Sequence, residues 1–338
     1  MTSKVKICAV MGAAVALCFV AAALLAPSRS RGTPSQPMGA GAPDPPPAWA
    51  FPVNPPSKGS TAPAPARIEH VAGSKLTFTD RQVDDEFFTA DWFPDEHGPM
   101  PAPVATGRKP AAFPCALCHL PTGNGGPAEA ALPGLPEGYI LEQINEFRAG
   151  RRRTAERRMV SARDMEDEAK AITDAEVAAA AHYFSQLKFT SHFHVVETNT
   201  APKTRVGLVS LNVKIPGSEP LGQRIVEVPD DAKQWELGNA HTEFTAYVPK
   251  GSIARGAALV SSGDGAAPCR TCHGPDLKGV GNVPPLAGRS PSYLARQLYD
   301  IQYGFRRGPA VALMMPEVAH MTPADRIAIV AYLASLGS

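Results

Sequence analysis

The sequence has almost no cysteine outside two short motifs, and it has almost no net charge. Four of its six cysteines lie in those motifs, and the other two, Cys8 and Cys18, lie in an apolar segment near the amino terminus. No pair is left over to form a disulfide framework. The formal net charge of +1 over 338 residues gives no global field that would steer the protein towards nucleic acid, so we expect no nucleic-acid partner.

The two motifs are copies of Cys-x-x-Cys-His, namely Cys115-Ala-Leu-Cys118-His119 and Cys269-Arg-Thr-Cys272-His273. Two thiols at this spacing can bond both vinyl groups of a porphyrin, while the adjacent imidazole reaches the iron from the same face. A zinc ribbon also pairs Cys-x-x-Cys units, but it does not require a histidine after each pair. The motifs therefore predict two covalently bound haem c groups, with His119 and His273 as iron ligands.

The amino-terminal region predicts export from the cytoplasm. Lys4 and Lys6 precede an uncharged apolar run over residues 7–26, which is typical of a signal peptide or an uncleaved membrane anchor. The small-residue pattern at Ala21-Ala22-Ala23 lies inside this run, which favours an anchor. Because haem attachment through these motifs takes place outside the cytoplasm, we expect a periplasmic protein tethered to the cytoplasmic membrane.

The next segments are expected to lie outside any haem-binding domain. Between residues 27 and 66, 12 of 40 residues are proline, which predicts a linker that buries no core. Residues 67–110 form an amino-terminal extension. Residues 191–250 connect the two motif-bearing regions, and partly alternating β-branched residues at 206–215 and 224–228 predict two short strands there. We expect this connection to wrap the domains rather than to form another one.

The rest of the chain repeats itself, which predicts two equivalent domains at residues 111–190 and 251–338. A shift of 154 residues, later 149, superimposes the motifs and the following pairs: Leu132 and Leu286, Gly134 and Gly288, Tyr139 and Tyr293, Gln143 and Gln297, Gly150 and Gly304, Met165 and Met314, Thr173 and Thr322, Tyr183 and Tyr332. The residues around Tyr139 and Tyr293 recur at helical spacing. Thr173 and Thr322 are expected to cap a closing helix in each half.

The second axial ligand of each iron is predicted to be a methionine, because a soft thioether favours ferrous iron and raises its potential. Met165 and Met314 occupy equivalent positions before the capping threonines, in expected loops that could cover the haem face opposite the histidine. Met159 and Met315 are the competing candidates. We expect the histidines outside the motifs, including His97, His192, His194 and His241, to be structural or superficial.

Basic and aromatic side chains complete the set of candidate haem contacts. Six arginines lie between Arg148 and Arg158, and Arg152 aligns with Arg306 in the second half. These two are candidate partners of the haem propionates, whereas the remaining arginines could offer a basic patch to an acidic redox partner. Tyr139 and Tyr293 are further candidate haem-binding residues.

The order of these motifs resembles the class I cytochromes c, and their tandem arrangement resembles the cytochrome c4 family. The second half matches best, through Pro285-Leu286-Ala-Gly288, Tyr293-x-x-x-Gln297, Gly304-Phe-Arg306 and Met314. The resemblance implies an all-α fold with two tandem class I domains, here joined to an amino-terminal anchor and linker and an irregular, partly β connection. One departure is Ala131, which replaces Pro285 and leaves the carbonyl expected to orient His119 without its rigid proline.

The expected function is one-electron transfer without bond chemistry. Such a carrier would relay electrons from a quinol-oxidising complex or a dehydrogenase to a terminal oxidase or reductase. The alternatives are a di-haem redox enzyme of the peroxidase or thiosulfate-oxidising type, in which one iron opens a coordination position, and the haem subunit of a larger dehydrogenase.

Overall fold

The computed structural model describes residues 44–56, 66–207, 210–263 and 265–337. The apolar segment 1–26 and the linker residues 27–43 and 57–65 lie outside these ranges. Among the described residues, no helix is both long and apolar enough to cross a membrane. The helices are α1 Asp80–Val83, α2 Ala102–Ala105, α3 Ala116–His119, α4 Glu137–Arg148, α5 Val160–Ala171, α6 Asp174–Gln186, α7 Ala232–Glu236, α8 Ser252–Ser262, α9 Cys269–His273, α10 Pro291–Gln302, α11 Met315–Val318 and α12 Pro323–Ser335. The strands are β1 Ile68–Glu69, β2 Phe78–Thr79, β3 Phe193–Thr198, β4 Thr200–Val206, β5 Asn212–Pro220, β6 Val226–Pro229 and β7 Phe244–Pro249.

The internal repeat is visible in the helices. A shift of 154 residues moves both ends of α4 onto those of α10, and a shift of 149 residues moves both ends of α6 onto those of α12. Thr173 and Thr322 begin the closing helices, and each forms a capping box with the acidic residue three positions later. Such reciprocal bonds satisfy amide groups that a helix start otherwise leaves unpaired. Local sequence therefore sets the same two helices in each half.

The core of the second half is formed by α8, α10 and α12. Ala295, Tyr299, Ile327 and Val330 are buried within it. Helix α8 crosses α12 at Gly256, where a Cβ atom would collide with the carbonyl of Ala328. A glycine is needed at this crossing because the two backbones approach each other directly.

The core of the first half is smaller and begins earlier than the predicted boundary at residue 111. Val104 of the one-turn helix α2 is fully buried against α6, together with Ile140 of α4 and Ala181 and Phe184 of α6. Helix α2 takes the place that α8 has in the second half. The expected extension 67–110 thus supplies part of the first domain's core, a contribution that one turn of helix does not reveal in sequence.

The connection is more regular than expected. Its described residues form five strands rather than two, arranged as a three-stranded sheet β3-β7-β6 and an antiparallel hairpin β4-β5. Strand β3 runs parallel to β7, whereas β6 runs antiparallel to it. Phe193, Val213 and Phe244 form a small core of their own, while Ile225, Ala246 and Val248 pack into the core of the second half. The connection therefore both forms a small β unit and covers the second haem-domain core.

Part of the predicted linker is a packed strap. Ala50 and Phe51 are almost fully buried in the core of the second half, with Trp49 partly buried beside them. The phenyl ring of Phe51 meets the ring of Tyr299 edge to face, with centroids 5.4 Å apart. The expectation of a linker over residues 27–66 is therefore wrong for residues 44–56, because two aromatic residues among the prolines contribute the apolar area that proline-rich segments usually lack.

The remaining part of the extension packs against the connection. Trp92 and Phe93 form an apolar cluster with Leu237, Ala240 and Leu120, the residue that follows the first motif. The indole of Trp92 donates to the carbonyl of Leu237 over 2.6 Å. Residues Asp44–Ser338 accordingly form one compact unit.

Candidate haem sites

Each Cys-x-x-Cys-His motif folds into a short helix. The first cysteine of each motif is half-buried: Cys115 immediately precedes α3, and Cys269 begins α9. The second cysteine, Cys118 or Cys272, is exposed. A helical turn places residues three and four positions apart on one side, so both sulfur atoms and the following histidine can address one bound group. Both motifs are thus helical, as the repeat predicts, although α9 includes the first cysteine and α3 does not.

Both motif histidines have their imidazole proton fixed on the nitrogen that faces away from the expected iron. His119 Nδ1 lies 2.9 Å from the carbonyl oxygen of Ala130, and His273 Nδ1 lies 2.8 Å from that of Pro284. A carbonyl can only accept, so Nδ1 is the donor and Nε2 keeps a lone pair for a metal. Burial lowers the pKa of His119 to about 4 and also lowers the pKa of His273, which keeps both rings neutral and able to ligate.

The substitution of proline by Ala131 does not remove the orienting carbonyl. Ala130 aligns with Pro284 when the sequence is shifted by 154 residues, and both carbonyls accept from a histidine over nearly equal distances. The first half therefore holds its histidine without the Pro284-Pro285 pair.

The candidate distal methionines lie in different local structures. Met165 is half-buried in the continuous helix α5, so the expectation of a loop at this position is wrong. Met314 lies between a 3-10 turn, Val311–Leu313, and α11, because Pro316 stands in the first turn of α11 and prevents one continuous helix. As iron ligands, Met165 and Met314 stay predictions.

The competing methionines differ from each other. Met159 is fully buried in the large apolar cluster of the second half, the environment of a space-filling core residue. Met315 is half-buried beside Met314, and both pack against Val311 and Val318. Burial thus favours Met165 over Met159 and leaves Met314 and Met315 equivalent.

Arg152 and Arg306 meet at the junction between the two halves. Their backbones form an isolated antiparallel bridge, and both side chains are buried. Arg152 donates to the hydroxyl of Tyr293 over 3.0 Å, while Arg306 donates to the hydroxyl of Tyr139 over 2.8 Å. Each half therefore supplies the arginine that binds the tyrosine of the other half.

Two glutamines complete this exchange. Gln143 accepts from Arg152 and Arg306, and the Gln297 side chain also accepts from both. We call the set of Tyr139, Gln143, Arg152, Tyr293, Gln297 and Arg306 the junction cluster. Burial by itself raises the pKa of the Tyr293 hydroxyl, but the two guanidinium groups hold it below its ordinary value of 10.0. The sequence had identified the two tyrosines and the two arginines as candidate haem contacts, but it had not identified the two glutamines as site residues. Their aligned polar side chains in an otherwise apolar helix face were the signal for a buried polar site.

The junction cluster fits an additional carboxylate. Arg306 Nε is buried and has no hydrogen-bond partner within the described ranges. An unpartnered guanidinium N–H at this depth suits an acceptor such as a haem propionate. The expectation that Arg152 and Arg306 contact propionates stays a prediction, to which the structure adds their bridging role.

The other arginines of the 148–158 run do not form an open basic patch. Four of them form ion pairs with carboxylates. The pairs are Arg148 with Asp174, Arg151 with Glu146, Arg157 with Glu166 and Arg158 with Glu156. Paired charges present little net field to a partner. The expected basic docking surface is therefore wrong for most of the run.

Four of the histidines outside the motifs have protein partners, which supports a structural or superficial role for them. The contacts are His97 with Asp91, His192 with Asn124, His194 with Glu243 and His241 with Glu96.

Known proteins agree with this arrangement. The cytochrome c family model matches residues 253–337. A protein of Azotobacter vinelandii described as cytochrome c4 is 27% identical over 243 residues, covering 69% of this chain and 89% of the relative. The second half of the chain therefore matches the cytochrome c family, and the chain resembles cytochrome c4. Its cofactor is covalently bound haem c, and it belongs among the proteins that transport electrons.

Two further similarities concern thiosulfate oxidation. A protein of Thiomonas intermedia described as a thiosulfate dehydrogenase electron acceptor is 29% identical to the cytochrome over 229 residues, which cover 67% of this chain and 80% of the relative. A solved thiosulfate dehydrogenase from Marichromatium purpuratum is 24% identical with a TM-score of 0.45. The match covers 68% of this chain and 38% of that structure's chain.

Proposed function

We propose that this cytochrome is an electron carrier that accepts and releases single electrons through two haems. Cys115 and Cys118 would attach the first haem, and Cys269 and Cys272 the second. When bound, each haem supplies a reversible one-electron couple. The protein would contribute His119 with Met165 and His273 with Met314 as axial ligands, which keep the iron coordinated in both redox states.

The junction cluster is the observation that supports a relay most strongly. It joins the two motif-bearing halves through buried, reciprocal hydrogen bonds. A rigid junction of this kind keeps two redox centres at a fixed separation, so electron exchange between them needs no large rearrangement. An enzyme that converts a small substrate would need an accessible cavity at one iron instead.

We propose a thiosulfate-oxidising dehydrogenase as the electron donor. The description of the Thiomonas intermedia relative supports this choice. Joining two thiosulfate ions through a new sulfur–sulfur bond releases two electrons, one for each haem of the cytochrome. A terminal oxidase or reductase would receive them. The export signal and the haem motifs support a periplasmic location, and the apolar residues 7–26 support a membrane tether.

The proposal is tested by mixing the oxidised cytochrome with thiosulfate, first alone and then with a purified thiosulfate dehydrogenase. We expect haem reduction, followed through the absorption of ferrous haem c, only when the enzyme is present. Two electrons should be taken up per cytochrome. A quinol-oxidising complex assayed in the same way serves as the competing donor, and faster reduction by that complex would replace our choice.

The main alternative is that the cytochrome is itself a redox enzyme. Met165 lies in a helix rather than in a ligand loop, and this difference from the second half is the observation that favours it. Reduction by thiosulfate without added enzyme, or binding of carbon monoxide to one ferrous haem, would support the enzyme. Co-purification with a flavin or molybdenum subunit would instead identify the chain as the haem subunit of a larger dehydrogenase.

A further inference from the structure

Arg289 is a buried cation of the second half that contacts the first half. The residue is 4% exposed, and its guanidinium carbon lies 4.5 Å from the centroid of the Phe189 ring. Burial lowers its pKa to about 10, so it stays charged at neutral pH. No described carboxylate pairs with it. Its charge is instead stabilised by backbone carbonyl groups.

Those carbonyls belong to the turn that orients the first motif histidine. Arg289 Nη1 donates to the carbonyl of Ala131, and Nη2 donates to the carbonyl of Pro133 over 2.9 Å. Ala130, the residue before this pair, accepts the hydrogen bond from His119 Nδ1. A planar guanidinium that binds two carbonyls fixes the path of the backbone between them.

The described part of the second half has no equivalent contact. The residue that aligns with Arg289 is Leu135, a buried apolar side chain of the first-half core. The carbonyl that holds His273 comes from Pro284, which is followed by Pro285. Two consecutive prolines restrict their own backbone without outside help. The first half has Ala130-Ala131 at these positions and therefore needs another restraint.

We propose that Arg289 is a positioning residue for the proximal histidine of the first haem. It restrains the 131–133 turn in place of the missing prolines, so the second half controls the ligand strength of His119. A firm hydrogen bond from Nδ1 to a carbonyl increases the basicity of the imidazole and stabilises ferric iron. The inference rests on the axial role of His119 in the proposed function.

The test compares Arg289→Lys with the unaltered full-length holoprotein. Lysine keeps the positive charge and the aliphatic stem but cannot bind both carbonyls in one plane. In the ferric protein, NMR follows the exchange with solvent of the His119 and His273 Nδ1 protons. We expect His119 exchange to become faster by on the order of tenfold, as for a loss comparable to one hydrogen bond, and His273 exchange to stay unchanged. The midpoint potential of the first haem alone should rise.

Two further variants make the result specific. Adding Ala131→Pro to Arg289→Lys should restore slow His119 exchange, because proline supplies the missing restraint within the turn. Ser191→Ala removes a neighbouring hydrogen bond to the carbonyl of Gly288 without touching the turn, and it should leave both histidines unaffected.

Other outcomes overturn the inference. Unchanged His119 exchange in Arg289→Lys, or equal acceleration at His119 and His273, would show that Arg289 acts only on general stability. Equally fast His119 exchange in Ser191→Ala would also show that the effect is one of general stability. If the His119 Nδ1 proton showed no NMR shift from the paramagnetic iron, His119 would not be an axial ligand. That result would contradict the proposed function rather than the positioning role of Arg289.

Discussion

Met165 is the least conventional of the predicted ligands, because its side chain projects from the middle of a helix. Substitution by alanine should leave the first iron without its sixth ligand. We expect the charge-transfer band of methionine-bound ferric haem to fall to the intensity of one haem. The first haem should become high-spin and bind carbon monoxide in its ferrous state. Its potential should fall, since the thioether favours ferrous iron. Optical spectroscopy and redox titration measure these changes.

Met159 provides the matched control for Met165. Because it is fully buried in an apolar cluster, Met159→Leu should cost below about 1.5 kcal/mol of stability and leave the spectrum unchanged. Loss of the band in Met159→Leu, with retention in Met165→Ala, would reverse the assignment.

Asp300 should make stability depend on pH. Its carboxylate accepts from the amide of Ala155 over 2.9 Å, and burial raises its pKa to about 7 from the ordinary value of 3.8. The folded state therefore binds the proton more tightly than the unfolded state. The resulting stabilisation is complete below pH 3.8 and is lost as the pH rises towards 7.

Asp300→Asn removes this titration while keeping an oxygen for the amide of Ala155. Compared with the unaltered protein, we expect a flatter pH dependence of the unfolding free energy between about pH 4 and pH 7, with a difference of up to a few kcal/mol. Denaturant unfolding at a series of pH values measures it. Identical pH profiles would mean that Asp300 is ionised throughout. The aligned residue of the first half, Glu146, is instead paired with Arg151.

Among the elements, the helices were the most predictable from sequence. The threonine caps and the apolar spacing define α6 and α12, because both signals are local. The region of the distal methionines was not predictable by repeat alignment alone. Pro316 interrupts the helix in the second half, whereas the aligned Asp167 allows α5 to continue, so equivalent positions have different backbones.

The strap 44–56 was hidden by its composition. Prolines indicated a linker, but Ala50 and Phe51 are buried against apolar residues of α10 and α12, which lie far along the chain. The carbonyl of Ala50 also accepts from the buried Arg296 over 2.8 Å. A short aromatic segment that binds a distant surface leaves no periodic pattern in sequence.

Phe51→Ala should therefore destabilise the second half even though it lies in a proline-rich segment. We expect a loss of about 3–5 kcal/mol, the usual cost of truncating a buried phenylalanine, measured by chemical unfolding of the holoprotein. Pro55→Ala, at an exposed position of the same segment, should change stability by less than about 1 kcal/mol. Equal effects of the two substitutions would show that the strap is not anchored by Phe51.

At the scale of the whole molecule, the junction cluster should make the two halves unfold together. Arg306→Gln leaves the Tyr139 hydroxyl without its donor inside the junction, at a cost of roughly 1–3 kcal/mol. We expect calorimetry to show one transition for the unaltered holoprotein and two for this variant. Arg255→Gln, which removes an exposed pair with Asp325 within the second half, should retain the single transition. Two transitions in the unaltered protein would contradict the prediction.

The sequence predicted that the two halves are copies but not how they bind each other. The alignment of Arg152 with Arg306 indicated equivalent roles, but it did not indicate which half each arginine would contact. The exchange of partners across the junction depends on how the domains pack, and packing between distant segments is not encoded in local periodicity. The same limit applies to Arg289, whose only sequence signal was the alanine where a proline was expected.

The exchanged arginines also bear on the evolutionary history of the chain. A duplicated domain can ordinarily be lost again, because each copy is complete. Here, deleting either repeat would leave the surviving tyrosine without its donor and the surviving arginine without its phenol. Loss of one repeat would expose the junction residues of the remaining half. A single-haem protein would then need further mutations at those residues to stay folded, which makes the duplication difficult to reverse.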